Sequence, residues 1–339
     1  MSNFNILEWW NNLQPLSVYD KEKIEMTRNG NTTNNVKRDN FMFCYLYNDL
    51  FKKMPFSGLD FSEYDITVDD CASNLINKLF NQYVDDDTLV ISSNAEHETV
   101  VKNLGKCKNT LILDQDKDIR GYNFNKIMSE VKKFKKVFIY IIGTQISTGE
   151  ISPQTFFVEL KELLKNNYIE HIMVLDAVQE MFLYPRNYRI FDYIIGTGHA
   201  ICGNYDLGLL IGLHNALVKG YYDYEPLFYY NKILDVILNR KDKLNIFSNV
   251  LYEYYKPLLN RPEFSRVDNS VPYICSIKST SVDFNEEIKE LLDKYEIRIE
   301  GIGNSCQFIR FRAQMFIKSP ELLLKGIEIL NDYIKEQIG

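Results

Sequence analysis

The chain has 339 residues, with 39 Lys and Arg against 46 Asp and Glu, a net charge of −7 and a pI near 5.3. That length calls for two domains, or for one large α/β layer structure with an appendage. A composition 45% hydrophobic and 25% charged excludes wholesale disorder, and the acidic balance argues against nucleic acid, whose phosphates need clustered Lys and Arg.

Residues 1–14 contain Trp9 and Trp10 but no basic stretch followed by an apolar run, so no secretory signal is expected. Residues 15–39 are polar, and 28–35 read as an exposed loop rich in Asn. From about residue 70 the pattern alternates. The spacing of Leu75, Ile76, Leu79 and Phe80 predicts a helix over 72–83, followed by a strand at 88–92 and a helix at 96–104. A strand at 110–113, a helix at 124–134, a strand at 136–142 and a helix at 153–166 come next. Strands at 171–175, 192–195 and 207–212 close the series. Short apolar strands separated by helices predict an α/β fold, with a mostly parallel sheet sandwiched by helices.

After residue 213 the texture changes to Tyr-rich amphipathic segments at 217–238 and 243–259. Strands at 273–277, 297–300 and 308–311, with helices at 285–294 and 320–338, predict a smaller α+β C-terminal domain. The expected division is an N-terminal segment 1–39, a large domain 40–215, and a small domain with interdomain helices 216–339. The longest apolar runs, such as 137–142, fall short of the ~20 residues that span a membrane. Six cysteines (Cys44, Cys71, Cys107, Cys202, Cys275, Cys306) are scattered without CxxC pairs, which gives neither a zinc site nor a disulfide framework. Reduced thiols in a cytoplasmic protein are the expectation, with no metal, nucleic acid or membrane as partner.

In a parallel sheet, ligands collect beyond the carboxyl ends of the strands. Four polar constellations fall there. The strand at 88–92 runs into Ser93-Asn94-Ala95-Glu96-His97, and the strand at 136–142 into residues 143–149, Gly-Thr-Gln-Ile-Ser-Thr-Gly. The strand at 171–175 ends in Asp176-Ala177-Val178-Gln179, and the last of the four in Gly196-Thr197-Gly198-His199-Ala200. Two of the four histidines lie in this set.

This order resembles the pyridoxal-phosphate (PLP) enzymes of fold type I, in the branch of class V aminotransferases and cysteine desulfurases. The resemblance covers residues 70–215 well and the C-terminal part loosely. It implies a seven-stranded large domain, PLP as cofactor, an amino-acid substrate and a homodimer. It also implies roles for particular residues. His97 would lie flat on the cofactor ring. Asp176 would pair with the protonated ring nitrogen and so make the ring an electron sink. Gln179 would meet the phenolic oxygen, and Ser147 would support the ring oxygen and substrate. Residues 70–74 open a helix where the family has its Gly-Thr-Thr turn, so Ala72 and Ser73 would offer donors to the phosphate. Ser73 as a plain N-cap is the other reading. Thr197 and His199 match the family's Ser-Gly-His and would add side-chain donors.

The departure lies at Ala200, where the family carries the Schiff-base lysine. The surrounding set of His97, Asp176, Gln179 and His199 is intact. The preferred reading is therefore a catalytic Lys→Ala variant of an enzyme acting at the Cα of an amino acid, by transamination, elimination, racemisation or cyclisation. The alternative is a natural lysine-less protein that binds an amino-acid–PLP adduct or a protein partner. Arg310 and Arg312 precede the last helix, where the family clamps the substrate carboxylate with a bidentate arginine. Cys306 lies too near Arg310 for a desulfurase's persulfide loop, which disfavours that activity. His171 and His214 read as structural.

Overall fold

The computed structural model describes residues 63–198, 207–213 and most of 259–338, with single positions in 49–59 and 231–256. The N-terminal segment 1–39 and nearly all of the Tyr-rich segments lie outside the described residues, as do His199, Ala200 and Cys306.

The chain divides into two units. The larger carries seven strands: β1 (Tyr64–Asp69), β2 (Thr88–Ser93), β3 (Asn109–Leu113), β4 (Lys136–Ile142), β5 (Glu170–Asp176), β6 (Tyr193–Thr197) and β7 (Gly208–Leu213). Their order is β1-β7-β6-β5-β4-β2-β3. Pairing from β6 through β5, β4 and β2 to β3 is parallel, and β7 runs antiparallel to both its neighbours. The expected α/β fold with a mostly parallel sheet is what the chain forms. Strand β1 was not anticipated: its apolar residues are interrupted by Asp65 and Thr67, and it lies at the edge of the sheet with one antiparallel partner.

Helices α1 (Ala72–Tyr83), α2 (Glu98–Leu104), α3 (Phe124–Val131) and α4 (Gln154–Asn166) make the crossovers. Leu75, Ile76, Leu79 and Phe80 of α1 pack with Val100 of α2 onto Val90, Phe138, Tyr140, Val174, Tyr193, Ile195 and Leu210. Successive strand residues face opposite ways, so Val137, Ile139 and Ile141 turn to the other side, and they too are fully buried. Residues covered on both faces explain the unbroken apolar strands. Phe138 meets Phe80 edge to face, with centroids 5.1 Å apart.

The smaller unit holds a second sheet, of order β10-β11-β9-β8, built from β8 (Phe264–Arg266), β9 (Ile274–Ser279), β10 (Ile297–Gly301) and β11 (Gln307–Arg312). All its pairings are antiparallel. Helices α5 (Glu286–Asp293) and α6 (Pro320–Ile338) accompany it, and Asn285 caps α5 by accepting from the Ile288 N–H at 3.0 Å. Residues 146–151, which follow β4 in sequence, belong to this unit. Among the described residues, no helix is long and apolar enough to cross a membrane.

Candidate active site

The connection leaving β2 leads to β3 on one side, and the connection leaving β4 leads to β5 on the other. Such a reversal, outside the carboxyl ends of β2 and β4, is the position where open α/β sheets bind ligands. Register brings Ile142, Asp176 and Ile195 to one level across β4, β5 and β6.

On the β2 side, Glu96 shapes the turn. Its Oε1 accepts from the Ser93 hydroxyl at 2.5 Å and from the Ile142 N–H at 3.0 Å, tying the turn to the end of β4. Those bonds hold Glu96 out of the helix, so α2 begins at Glu98 rather than at 96. His97 becomes the N-cap, its Nδ1 accepting from the Thr99 N–H at 3.2 Å, and its ring is exposed. Burial pushes the Glu96 carboxyl up to about 8, with the neighbouring Asp176 charge adding to the shift and the Ser93 and Ile142 bonds opposing it. Its Oε2 is buried without a hydrogen-bond partner.

On the β5 side, Asp176 is buried. Its Oδ2 accepts from the Tyr140 hydroxyl at 2.9 Å and its Oδ1 from the Val178 N–H at 3.0 Å. Burial raises this carboxyl above its usual range and the Glu180 charge adds to that, while the Val178 and Tyr140 bonds and His97 pull it down. Gln179 is 3% exposed, and its Oε1 has no hydrogen-bond partner. A buried carbonyl oxygen without a donor is costly and calls for a ligand or water.

The N-terminus of α1 belongs to the same unit. Its N-cap, Cys71, makes no side-chain hydrogen bond to the first turn. Gly208 of β7 lies so near that a Cβ there would sit 2.4 Å from the Cys71 carbonyl carbon and 2.6 Å from the Ala72 nitrogen. Because both neighbours are backbone, Gly208→Ala is expected to destabilise the protein by about 1–3 kcal/mol, read as a lower urea midpoint at unchanged m. An unchanged midpoint would show that β7 and α1 can separate freely. Ser73 shares a 2.8 Å hydrogen bond with Thr99, the residue whose N–H reaches His97. The structure thus links Ser73 to His97 through Thr99, a residue the sequence reading passed over. Thr197 donates its hydroxyl to the Leu207 carbonyl at 2.9 Å, so a role as donor to an anion requires that bond to rotate away.

Beneath these groups lies an ion pair that sequence reasoning missed. Glu180 and Arg186 are both 0% exposed, with Nε to Oε1 at 2.5 Å and Nη2 to Oε2 at 3.0 Å. Glu180 also accepts from the Thr144 hydroxyl at 2.7 Å. Arg186 donates to the Ser152 carbonyl at 3.1 Å, and Phe157 and Tyr184 flank it. A Cβ at Gly143 would stand 2.7 Å from the Glu180 carboxylate, so any larger residue in the turn after β4 would press on the ion pair.

In the smaller unit the structure brings Ser147 together with Arg310. The Ser147 hydroxyl and Glu300 are hydrogen-bonded, and Glu300 Oε1 lies 2.9 Å from Arg310 Nη2. Arg310 Nη1 donates to the Ile146 carbonyl at 2.8 Å, and the Ser276 hydroxyl to the Ser147 carbonyl at 2.6 Å. Arg312 ends β11 two residues on.

No family model matches the sequence, and no curated protein matches it. Solved structures do share its fold. A NifS-like protein from Rickettsia africae matches with a TM-score of 0.69 and 15% identity, over 89% of this chain and 91% of that one. The cysteine desulfurase CsdA of Escherichia coli matches at 0.63 and 12%, over 91% and 90%. A glutamate decarboxylase from Lactobacillus brevis matches at 0.64 and 13%, over 89% and 81%. At such identities the likeness is one of fold.

Proposed function

We propose that this chain holds pyridoxal phosphate at the carboxyl edge of its large sheet and belongs to an enzyme that acts at the Cα of an amino acid. The observation that carries this is the pairing of buried Asp176 with the orphaned amide oxygen of buried Gln179 at the reversal point of the sheet. The donor set fits the group. Each Asp176 oxygen accepts one hydrogen bond, which leaves lone pairs for a ring N–H. Gln179 Oε1 needs a donor, and a phenolic hydroxyl is one. The uncapped N-terminus of α1 suits a phosphate dianion. When bound, pyridoxal phosphate supplies an electron sink for negative charge at a substrate Cα.

The chain's own residues do the rest of the work. Asp176 would hold a proton on the ring nitrogen of the bound group, because a carboxylate against a ring N–H favours its charged form. Tyr140 fixes the rotamer of that carboxylate, and Glu96 fixes the turn that presents His97. Arg310 serves the substrate carboxylate. We read Ala200 as the site of a Lys→Ala change, so that the chain binds without turning over; a native lysine there would carry the proton at Cα. The names of the structural neighbours, a cysteine desulfurase and a glutamate decarboxylase, support an amino acid as substrate. Transamination, elimination and cyclisation share one carbanion and belong equally to the proposal, as do a homodimer and a cytoplasmic location.

The test is to make Ala200→Lys, incubate it with pyridoxal phosphate, reduce with borohydride and map the mass increment. The cofactor's mass on the peptide containing position 200, absent from the unsubstituted protein, is the expected result. No increment, together with no pyridoxal phosphate retained on dialysis by either form, would overturn the proposal. Retention by both forms with no amino acid turned over after Ala200→Lys would instead favour a non-catalytic adduct binder. Asp176→Ala is expected to weaken retention about 100-fold, consistent with loss of one buried charge-assisted bond.

A further inference from the structure

Arg310 is 1% exposed, and its guanidinium already holds a carboxylate. Glu300, which supplies that carboxylate, keeps 27% of its side chain exposed. The difference follows from the sheet. Strand β10 is an edge strand and β11 is interior. Arg298 faces Arg310 directly across the pair, which makes Glu300 the diagonal neighbour of Arg310 on the same face. On the other side Ser276 of β9 is directly opposite Arg310, and its hydroxyl pins the Ser147 carbonyl. The result is a small built site: a buried guanidinium, a serine hydroxyl, a backbone carbonyl to hold the far nitrogen, and an acidic side chain with water on one flank.

We propose that Glu300 is a specificity-determining residue, an internal carboxylate seated on Arg310 that a ligand's carboxylate must displace. This rests on the reading of Arg310 as the carboxylate clamp. The physical case is one of exchange. Removing Glu300 alone would take a carboxylate away from a buried guanidinium, which is unfavourable. Exchange for another carboxylate conserves the ion pair with Arg310 and a hydrogen-bond partner for Ser147, while Glu300 turns to the solvent it already touches. A neutral ligand offers no such compensation and leaves Glu300 in place. The site therefore takes carboxylate-bearing ligands and rejects their amides, and it holds even the former more weakly than a bare arginine would.

The probe is propionate, with propionamide as neutral control, titrated against the full chain by ligand-observed NMR. Glu300→Gln is expected to bind propionate roughly tenfold tighter, since an ionic competitor gives way to a weaker neutral one. Glu300→Asp should stay within about twofold of the unsubstituted protein, because the competitor's charge is kept. Ser147→Ala, which removes one bond to Glu300 and leaves the ion pair, should tighten binding about threefold, and it serves where Glu300→Gln does not fold. Propionamide should bind none of these forms. Equal propionate affinity in the unsubstituted protein, Glu300→Gln and Ser147→Ala would overturn the exchange, as would a gain that survives adding Arg310→Gln. Pyridoxal phosphate retention is measured on the same samples. Retention without the propionate effect rejects only the exchange, whereas the propionate effect without retention rejects the cofactor reading and leaves the exchange standing.

Discussion

Arg186→Ala is expected to cost about 3–5 kcal/mol of stability, the usual consequence of stripping one partner from a buried ion pair. Glu180 would then lie at 0% exposure without its counter-charge. Four further contacts go with it: the bonds to the Ser152 and Gly143 carbonyls and the cation–π contacts with Phe157 and Tyr184. The measurement is a urea melt. The midpoint should fall far while the slope stays constant, since the surface exposed on unfolding barely changes. Removing both charges together, with Glu180→Leu and Arg186→Met, should recover much of the loss, because desolvation consumes most of what the pair gains. A cost below about 1 kcal/mol for Arg186→Ala would mean that the pair is not buried in solution.

The second large effect is a dependence of stability on pH. Glu96 ordinarily titrates near 4.5 and is pushed to about 8 in the folded chain. Between those values the folded state binds a proton that the unfolded state has released. Stability is therefore greatest below the unfolded value and falls as pH rises through the window up to about 8, by an amount of the order of a few kcal/mol. Asp176, raised in the same sense, adds to the slope at its acid end. Glu96→Gln keeps the amide oxygen for Ser93 and the Ile142 N–H and cannot ionise. Chemical denaturation at a series of pH values should thus show a flatter profile for the variant, with the two curves closest at low pH. Parallel curves would show that Glu96 is solvated and titrates normally.

The elements that could be read from sequence were those where one physical signal dominated. Helix α1 matches the expected 72–83 because its apolar positions form an uninterrupted stripe that ends at Tyr83. Strand β4 matches the expected 136–142 because both its faces are covered. The candidate residues Asp176, Gln179 and His97 were visible because strand ends in such sheets are known places for ligands. What was hidden depended on pairing across long separations. Nothing local in the sequence marks Glu180 and Arg186 as mutually buried. Arg310 was legible as an arginine before a helix, but its tie to Glu300 is a matter of strand register, which no periodicity announces. The start of α2 shifted for a related reason, since Glu96 prefers a partner at the end of β4 to a place in the helix.

Residues 146–151 leave the larger unit after Gln145, join the smaller one, and return at Ser152, whose hydroxyl donates to the Ile142 carbonyl and whose N–H donates to the Gly143 carbonyl. Inside the smaller unit the same six residues donate and accept through Ile146, Ser147 and Gly149, and Glu150 bridges to Ser270. The boundary between the units is thus not a single place in the gene. A truncation after residue 239 would remove Ser270, Val271, Ser276, Glu300 and Arg310, which this loop meets among the described residues, and expression of 240–339 alone would lack the loop. Protein made in either half should be poorly folded by itself.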